Sequence, residues 1–396
     1  LDVMAYNTYY TAFNTNMVVN EMFLDSATLR DNVVSLAKQI GYKPRSASAP
    51  TAHVNLTATY SGGGAAPDTL VLREGTGVTT NFDDVLYQYV TIDDEEVPVV
   101  NGIATWTDLK LYEGTLLTQS TVVNTANPNQ KFILNNQNID TSSIRIKVYE
   151  QRNSSNFVTY KPVENILNLD GTSEVFFVEE IEDENYEIFF GDGIFGKKLE
   201  EGNYITADYI ISSGDAANGI SRFTFAGKLS YIRNSQSYAV STGVSLISTD
   251  LQSSGGEEIE SVESVKKFAP RIYASQNRAV SANDYETLIP NKIYPETESI
   301  SVFGGEEMIP PQYGKVFITI KPRTGDFLPN LVKENIKTKL KKYAVAGIVP
   351  EILDLKYLYI EVDSKIYYNS NLAPSGEYVS TLVQQNTESY AESTEL

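Results

Sequence analysis

The chain has no cysteine among its 396 residues, a single histidine and a single tryptophan. Without cysteine there is no disulfide scaffold, no thiolate metal site and no cysteine nucleophile, a composition that suits folding in a reducing compartment. The lone histidine, His53, excludes a histidine-rich zinc centre and would have to serve any Ser-His-Asp triad. No G-x-S-x-G elbow accompanies it. Its place beside Val54, at the start of a strand-like run, points to a surface or half-buried role. Long apolar runs are missing as well: the longest are a few residues, against the ~20 a spanning helix needs, so no membrane partner is expected. Positive charge is scarce. With 31 basic against 51 acidic residues the net charge is -20, which repels nucleic acid and anionic lipid within a Debye length, so nucleic acid is not expected as a partner either. The acidic runs Asp93-Asp94-Glu95-Glu96 and Glu179-Glu180-Ile181-Glu182-Asp183-Glu184 lack the glycine and glutamate frame of an EF-hand loop. Neither a metal nor any other cofactor is expected.

What is present bounds the fold. A chain of this length exceeds one core of usual size and predicts two to four domains. Twenty-six tyrosines against one tryptophan fit aromatic-rich sheets and contact surfaces, because tyrosine joins a large apolar ring to a polar tip. Leu1 opens without a basic n-region or a Met, and Tyr378 to Leu396 close inside a polar helical pattern; both ends read as cuts in a longer chain. The texture predicts an α+β multidomain protein with N-terminal helices, an antiparallel β-rich middle and a C-terminal split α+β domain. The expected bounds are a helical bundle segment over 1–50, a β domain over 51–123 to which 203–255 can return, and a β-rich domain over 124–202. An α+β oligomerisation domain over 256–370 and a helical tail over 371–396 follow.

In the first segment Val3, Tyr6, Tyr10, Phe13, Met17, Asn20 and Leu24 recur at spacings of three and four, a heptad seam with one polar position. Such a seam packs either on a partner helix or on the chain's own next helix, and a buried Asn20 would set its register. The next helix is expected to open at Asp25-Ser26, to carry Leu29, Val33, Leu36 and Ile40 on one face, and to stop at Gly41. From Thr51 to about Gly255 short alternating runs separated by turns predict antiparallel sheets. Ser253-Ser254-Gly255-Gly256 reads as a linker. Beyond it helices are expected over Glu257–Phe268, from Ser281 to Ile289 and from Pro329 to Tyr343. Strands are expected over Ser299–Phe303, Lys315–Ile320 and Leu355–Tyr368. Lys333, Lys337, Lys339, Lys341 and Lys342 form the one basic patch, either a solvated helix face or a candidate oligomer contact.

The segment Phe189 to Gly219 satisfies G-x-G-x-x-G through Gly191, Gly193 and Gly196, and the glycine and lysine positions of a P-loop through Gly191, Gly196 and Lys197. Both motifs need a helix directly after the glycines, so that its N-terminal amides meet the phosphate. Here Lys198 stands where a P-loop has Ser or Thr, and Tyr204 to Ile211 reads as a strand, so Asp192-Gly193 is expected in a strand-to-strand connection that requires positive φ.

The same stretch resembles the signature of the baseplate J-like family of contractile phage tails. Phe190, Gly191, Asp192, Gly193 and Gly196 fall on F-G-D-G-x-x-G, Gly202, Ile205 and Tyr209 on G-x-x-I-x-x-x-Y, and Gly214, Asn218 and Gly219 on a glycine-rich close. A second match runs from Asn20 to Arg30 and through Leu36-Ala37 to Gly41-Tyr42-Lys43-Pro44-Arg45-Ser46-Ala47. Together they are similar to the baseplate wedge proteins of T-even phages along most of the chain, with a departure at Lys198-Leu199-Glu200, where relatives often carry proline. The resemblance implies a non-enzymatic structural subunit of the virion's tail baseplate, assembled in the host cytoplasm, that joins wedges into a ring around the tail hub. Its implied partners are a second copy within a wedge, copies in neighbouring wedges and other wedge proteins, with no small-molecule substrate. Two rival classes stand beside it: a tail-associated glycan hydrolase using a carboxylate pair, and a receptor-binding adhesin, for which no internal repeat is found.

Overall fold

A computed structural model describes residues 2–60, 67–127, 130–163, 169–227, 229–233, 236–240, 244–248, 252–276, 278–323, 327–345, 347–356, 365–368 and 375–392. The chain divides into two compact units, Leu1–Asp354 and Leu355–Leu396. The first begins with helices α1 (Asp2–Asn20) and α2 (Arg30–Gln39). Six strands follow: β1 (Thr51–Thr59), β2 (Thr69–Leu72), β3 (Gly77–Phe82), β4 (Val85–Val90), β5 (Glu95–Val100) and β6 (Ile103–Glu113). The next seven are β7 (Thr115–Val122), β8 (Phe132–Leu134), β9 (Ile139–Tyr149), β10 (Phe157–Pro162), β11 (Val175–Glu180), β12 (Tyr186–Phe190) and β13 (Tyr204–Ile211). Then come β14 (Thr224–Phe225), β15 (Leu229–Arg233), β16 (Gln236–Val240) and β17 (Val244–Ser248), helices α3 (Val262–Ser275) and α4 (Ala282–Leu288), β18 (Thr297–Gly304), β19 (Lys315–Pro322), α5 (Asn330–Leu340) and β20 (Val349–Leu353). Helix α6 (Gly376–Glu392) belongs to the second unit. No helix of the described residues is long and apolar enough to cross a membrane.

The strands build three sheets. β1–β6 and β14–β17 form a ten-stranded sheet, β7–β13 a seven-stranded one, and β18–β20 a small third. The alternation of β1 shows why these residues make strands: Ala52, Val54, Leu56 and Ala58 are buried while their neighbours face outward, so one face of the pleat enters the core. His53 lies on the outward face, its Nδ1 2.8 Å from Asp108 Oδ1, in agreement with a half-buried surface role. The seven-stranded sheet curls until its two edges meet, Gln119 Nε2 of β7 donating to the Ile133 carbonyl of β8 at 2.7 Å. Inside it pack Ile139, Ile146, Phe176, Tyr186, Ile188 and Ile205.

Several elements lie where local sequence did not place them. β7 and β13 belong to the second sheet, so the crossings between sheets fall near Gly114 and Ser212 rather than at 123 and 203. Helix α2 opens at Arg30, not at Asp25-Ser26: its N-cap is Leu29, which offers no side-chain cap, and the turn before it is gathered around Glu21. Glu21 accepts from the Thr28 amide at 2.8 Å, the Thr28 hydroxyl at 2.6 Å and Asn32 Nδ2 at 2.9 Å, and these donors pull its carboxyl down to about 2. Ser26 instead donates to the Asn20 carbonyl at 2.6 Å. Helix α3 opens after its N-cap Ser261, since Ser254 and Glu257 are held in ladder-like bonds to Thr51 and Ser48. The opening of α4 is as expected, a capping box of Ser281 and Asp284.

The third sheet is mixed rather than antiparallel. β18 pairs antiparallel with β19, but β19 and β20 are parallel and joined through α5, the crossover that parallel neighbours require. Its third strand is Val349–Leu353; of the strand expected over Leu355–Tyr368, residues 357–364 lie outside the described residues, and Lys365–Tyr368 form no strand. Leu288, Ile318, Ile336 and Leu340 pack between this sheet and its helices. A separate cluster joins α2 to α3 through Val33, Ala37, Val265 and Ala269.

Candidate assembly surfaces and the glycine loop

After β12 the chain turns without a helix and reaches β13, so neither nucleotide-binding motif has the element its chemistry needs. Asp192 Oδ1 accepts from the amides of Ile194 and Phe195 at 2.8 and 2.9 Å. These two donors hold its carboxyl below the ordinary carboxylate range. Gly193 and Gly196 sit at φ 96° and 93°, where a side chain is strained. Gly191 is needed for a different reason: a Cβ there would lie 2.1 Å from the Gly196 carbonyl carbon. Lys197, the P-loop lysine by spacing, lies 3.3 Å from Glu174. The tip of the loop presents Ile194 and Phe195 to solvent.

The second half of the family signature has a different task. Ile205 and Tyr209 are buried in the curled sheet, Tyr209 donating to Asn136 Oδ1 at 2.5 Å. Gly202 turns at φ 83° just before β13. Gly214, Asn218 and Gly219 instead fasten a junction. The Asn218 side chain makes a reciprocal pair of 2.9 Å bonds with the Gly256 backbone, the Gly219 amide donates to the Ser253 carbonyl at 2.8 Å, and Gly214 packs on Glu258. Ser253 is fully buried, its hydroxyl donating to the Ala217 carbonyl at 2.7 Å. Ser253 to Gly256 is therefore a locked joint rather than a flexible linker.

Buried carboxylates surround this joint. Glu257 lies 2.7 Å from Arg45 and 3.5 Å from Arg323. Glu260 accepts from Tyr42 at 2.7 Å, the Arg45 amide at 3.0 Å and Ser264 at 2.6 Å. Glu180 receives Arg30 at 2.8 and 3.1 Å, while Lys38 bonds to the Glu180 carbonyl and stands 3.6 Å from Glu179. Burial pushes the carboxyls of Glu180 and Glu257 upward against these partners. Each is spent on joining the α2–α3 pair or the third sheet to the β body. Sequence reasoning missed this network, because its bonded partners lie as much as 230 positions apart and no local spacing marks them.

Helix α1 has no buried residue. Val3, Tyr6, Tyr10, Phe13 and Met17 are all exposed, and the aromatics meet along the helix, Tyr6 tilted against Tyr10 at 4.4 Å and Tyr9 stacked on Phe13 at 6.5 Å. The alternative in which the stripe packs on α2 is therefore not what the described residues show. One seam position departs from expectation, Leu24, which turns into the α2–α3 cluster; Asn20 is exposed like the rest of the seam. A second stripe that spacing could have revealed runs along the opposite side, Ala5, Thr8, Ala12, Thr15 and Val19, again at three and four residues.

The lysines of α5 are less available than a patch reading implies. Lys333 meets Asp354 at 2.5 Å, Lys337 meets Glu334 at 3.2 Å and Lys339 donates to the Ile293 carbonyl at 3.2 Å. Lys341 and Lys342 are exposed.

Residues 115–214 match the family described as bacteriophage baseplate wedge protein gp6, third domain, and residues 281–353 match baseplate structural protein gp6, C-terminal domain I. The first span is the seven-stranded sheet; the second runs from the N-cap of α4 to the end of β20. Baseplate wedge protein gp6 of Enterobacteria phage T4 is 26% identical over 95% of this chain. Over most of its length the chain resembles the gp6 baseplate wedge proteins. It spans 57% of that relative's length. A chain in the cryo-EM structure of the anti-feeding prophage baseplate aligns with 89% of the present chain and 67% of its own, at a TM-score of 0.33 and 14% identity. The F-G-D-G loop is a backbone device, and α1 and the loop tip present apolar side chains to solvent.

Proposed function

We propose that the chain is a non-enzymatic structural subunit of a contractile-tail baseplate wedge, located in the virion's tail baseplate, that joins wedges into a ring around the tail hub. The observation that carries this reading is α1. A helix of 19 residues with no buried side chain and no charge from Val3 to Asn20 is not stable or soluble by itself, since most helical stability in proteins comes from packing an apolar face. Its aromatic seam and its opposed small-residue stripe suit two different neighbours, a second copy of this chain and another wedge protein. Ring closure needs a further self-contact, because one isologous patch makes only a dimer. The region from Gly256 onward, with Lys341 and Lys342 exposed, is our candidate for it.

The mass of the complex formed with the neighbouring wedge proteins tests this. Changing Tyr10, Phe13 and Met17 together to serine is expected to leave the isolated chain's unfolding transition in place and to abolish the complex, because about 25 cal/mol per Å² of apolar burial is then lost only in the assembly. Unfolding of the isolated triple variant, or an unchanged complex, refutes the assignment. Turnover of cell-wall or capsule glycans that dies with one carboxylate substitution would make the chain an enzyme instead.

A further inference from the structure

Strand β18 is an edge of the third sheet, and beside it lies a cleft of about 650 Å³ with α3 as its opposite wall. Thr297, Glu298, Ser299 and Ile300 line the strand side; Lys267 and Arg271 line the helix side. The Val302 amide donates to the Glu286 carboxylate at 3.2 Å, which shows that this residue's backbone points away from β19. In an antiparallel strand N–H and C=O of one residue share a side and the sides alternate, so those of Ile300 point the same way, toward the cleft. No hydrogen bond outside the sheet covers them among the described residues.

The charge of the cleft is divided. Glu257 is matched by Arg45 at 2.7 Å and Glu298 by Lys321 at 2.8 Å, and Glu260 is occupied by Tyr42 and Ser264. Asp215 and Glu258 stand exposed at the end near Gly214. On the α3 wall Arg271 is exposed and has no ion-pair partner among the described residues, and Lys267 rests over the Phe268 ring at 5.5 Å. An edge with unpaired amides beside a helix wall is the construction that takes an added strand. We propose that β18 accepts an extended, acidic segment of a partner polypeptide as a fourth strand, its main chain bonded to Ile300 and its carboxylates paired with Lys267 and Arg271. The stretch from Thr297 to Ile300 spans about 10 Å at strand rise, room for roughly three to four residues of the guest. The Glu286 bond to Val302 caps the edge beyond it.

The full chain is titrated with two labelled octapeptides, one alternating valine and glutamate, the other valine and lysine, and with the first N-methylated at alternate residues in either register. Fluorescence anisotropy and amide hydrogen exchange are read. The glutamate peptide is expected to bind at least about tenfold tighter than the lysine peptide, to lose binding in one N-methylated register, and to slow exchange at Ile300. Arg271→Glu should weaken it about tenfold while the unfolding transition stays put, because the side chain is exposed. The proposal is overturned by an absence of saturable binding up to about 1 mM, by equal binding of the two peptides, by binding that survives both N-methylated registers, or by protection confined to other strands.

Discussion

Removing the Arg30 side chain tests how the helical head is held to the β body. Arg30 is 14% exposed and Glu180 3%, so in Arg30→Ala the carboxylate stays buried beside the hydroxyl of Tyr186, itself buried without a hydrogen-bond partner. Breaking a buried pair from one side costs about 3–5 kcal/mol, and the Arg30 bond to the Glu260 carbonyl is lost as well. Glu180→Gln with Arg30 intact removes the opposite charge and should cost less, since the amide can still accept a bond. The pH dependence fixes the cause. Burial already raises the Glu180 carboxyl above its ordinary 4.5, and loss of Arg30 raises it further. A group whose folded pKa lies above its unfolded value contributes stability that is present below the unfolded pKa and lost as pH rises through the folded one. The deficit of Arg30→Ala relative to the parent should therefore be small near pH 4 and grow toward pH 7. Urea unfolding of both proteins at matched pH measures it. A deficit under about 1 kcal/mol, or one independent of pH, would show that the pair is an ornament on an interface held by other contacts.

Two further substitutions separate the roles of the loop glycines. Gly193→Val meets only an ordinary contact, the Lys198 Cβ 3.8 Å from its Cβ, and should cost the ~1–3 kcal/mol of backbone strain; Gly191→Ala, driven into the Gly196 carbonyl, should cost more although the side chain is smaller. Reversal of that order in thermal melts, or Lys197-dependent ATP binding, removes the backbone reading. A fragment cut at Gly256 loses the α2 face that buries Val265, Ala269 and Ile272 and should bind a hydrophobic dye, whereas one from Ala279 to Asp354 keeps the third sheet's core whole and should melt cooperatively. Dye binding by the shorter fragment alone would contradict this.

Elements with local causes were legible in the sequence. The alternation of β1, the opening of α4 at Ser281 and the strand-turn-strand frame of the glycine loop each follow from a few adjacent residues, and each stands as expected. The errors share one physical source, partners far along the chain. The turn ahead of α2 is held by Glu21, the joint at Ser253–Gly256 by Asn218 and Thr51, and the direction of β20 by a crossover through α5. Ser-Gly composition cannot distinguish a linker from a joint, because small residues serve both mobile chain and close backbone approach: a Cβ on Gly256 would meet the Gly214 carbonyl at 2.4 Å. For α1 spacing exposed the aromatic seam, and only the structure showed that nothing described here covers it.

The family signature thus divides by mechanism. Its first half, Phe190 to Gly196, shapes one loop, and errors there stay local to the curled sheet. Its second half, Gly214 to Gly219, lies where the chain leaves that sheet, re-enters the ten-stranded one and meets Gly256. The connections between α1 and this joint are the Glu21 bonds to Thr28 and Asn32, the apolar contact of α2 with α3, and the Glu257–Arg45 pair. Apolar contacts in that series tolerate sliding, whereas the reciprocal Asn218–Gly256 bonds fix both spacing and direction. If the chain transmits force from its helical end to its β body, substitution of Asn218 should uncouple the two while leaving each core folded, an outcome no change at Gly191 can imitate.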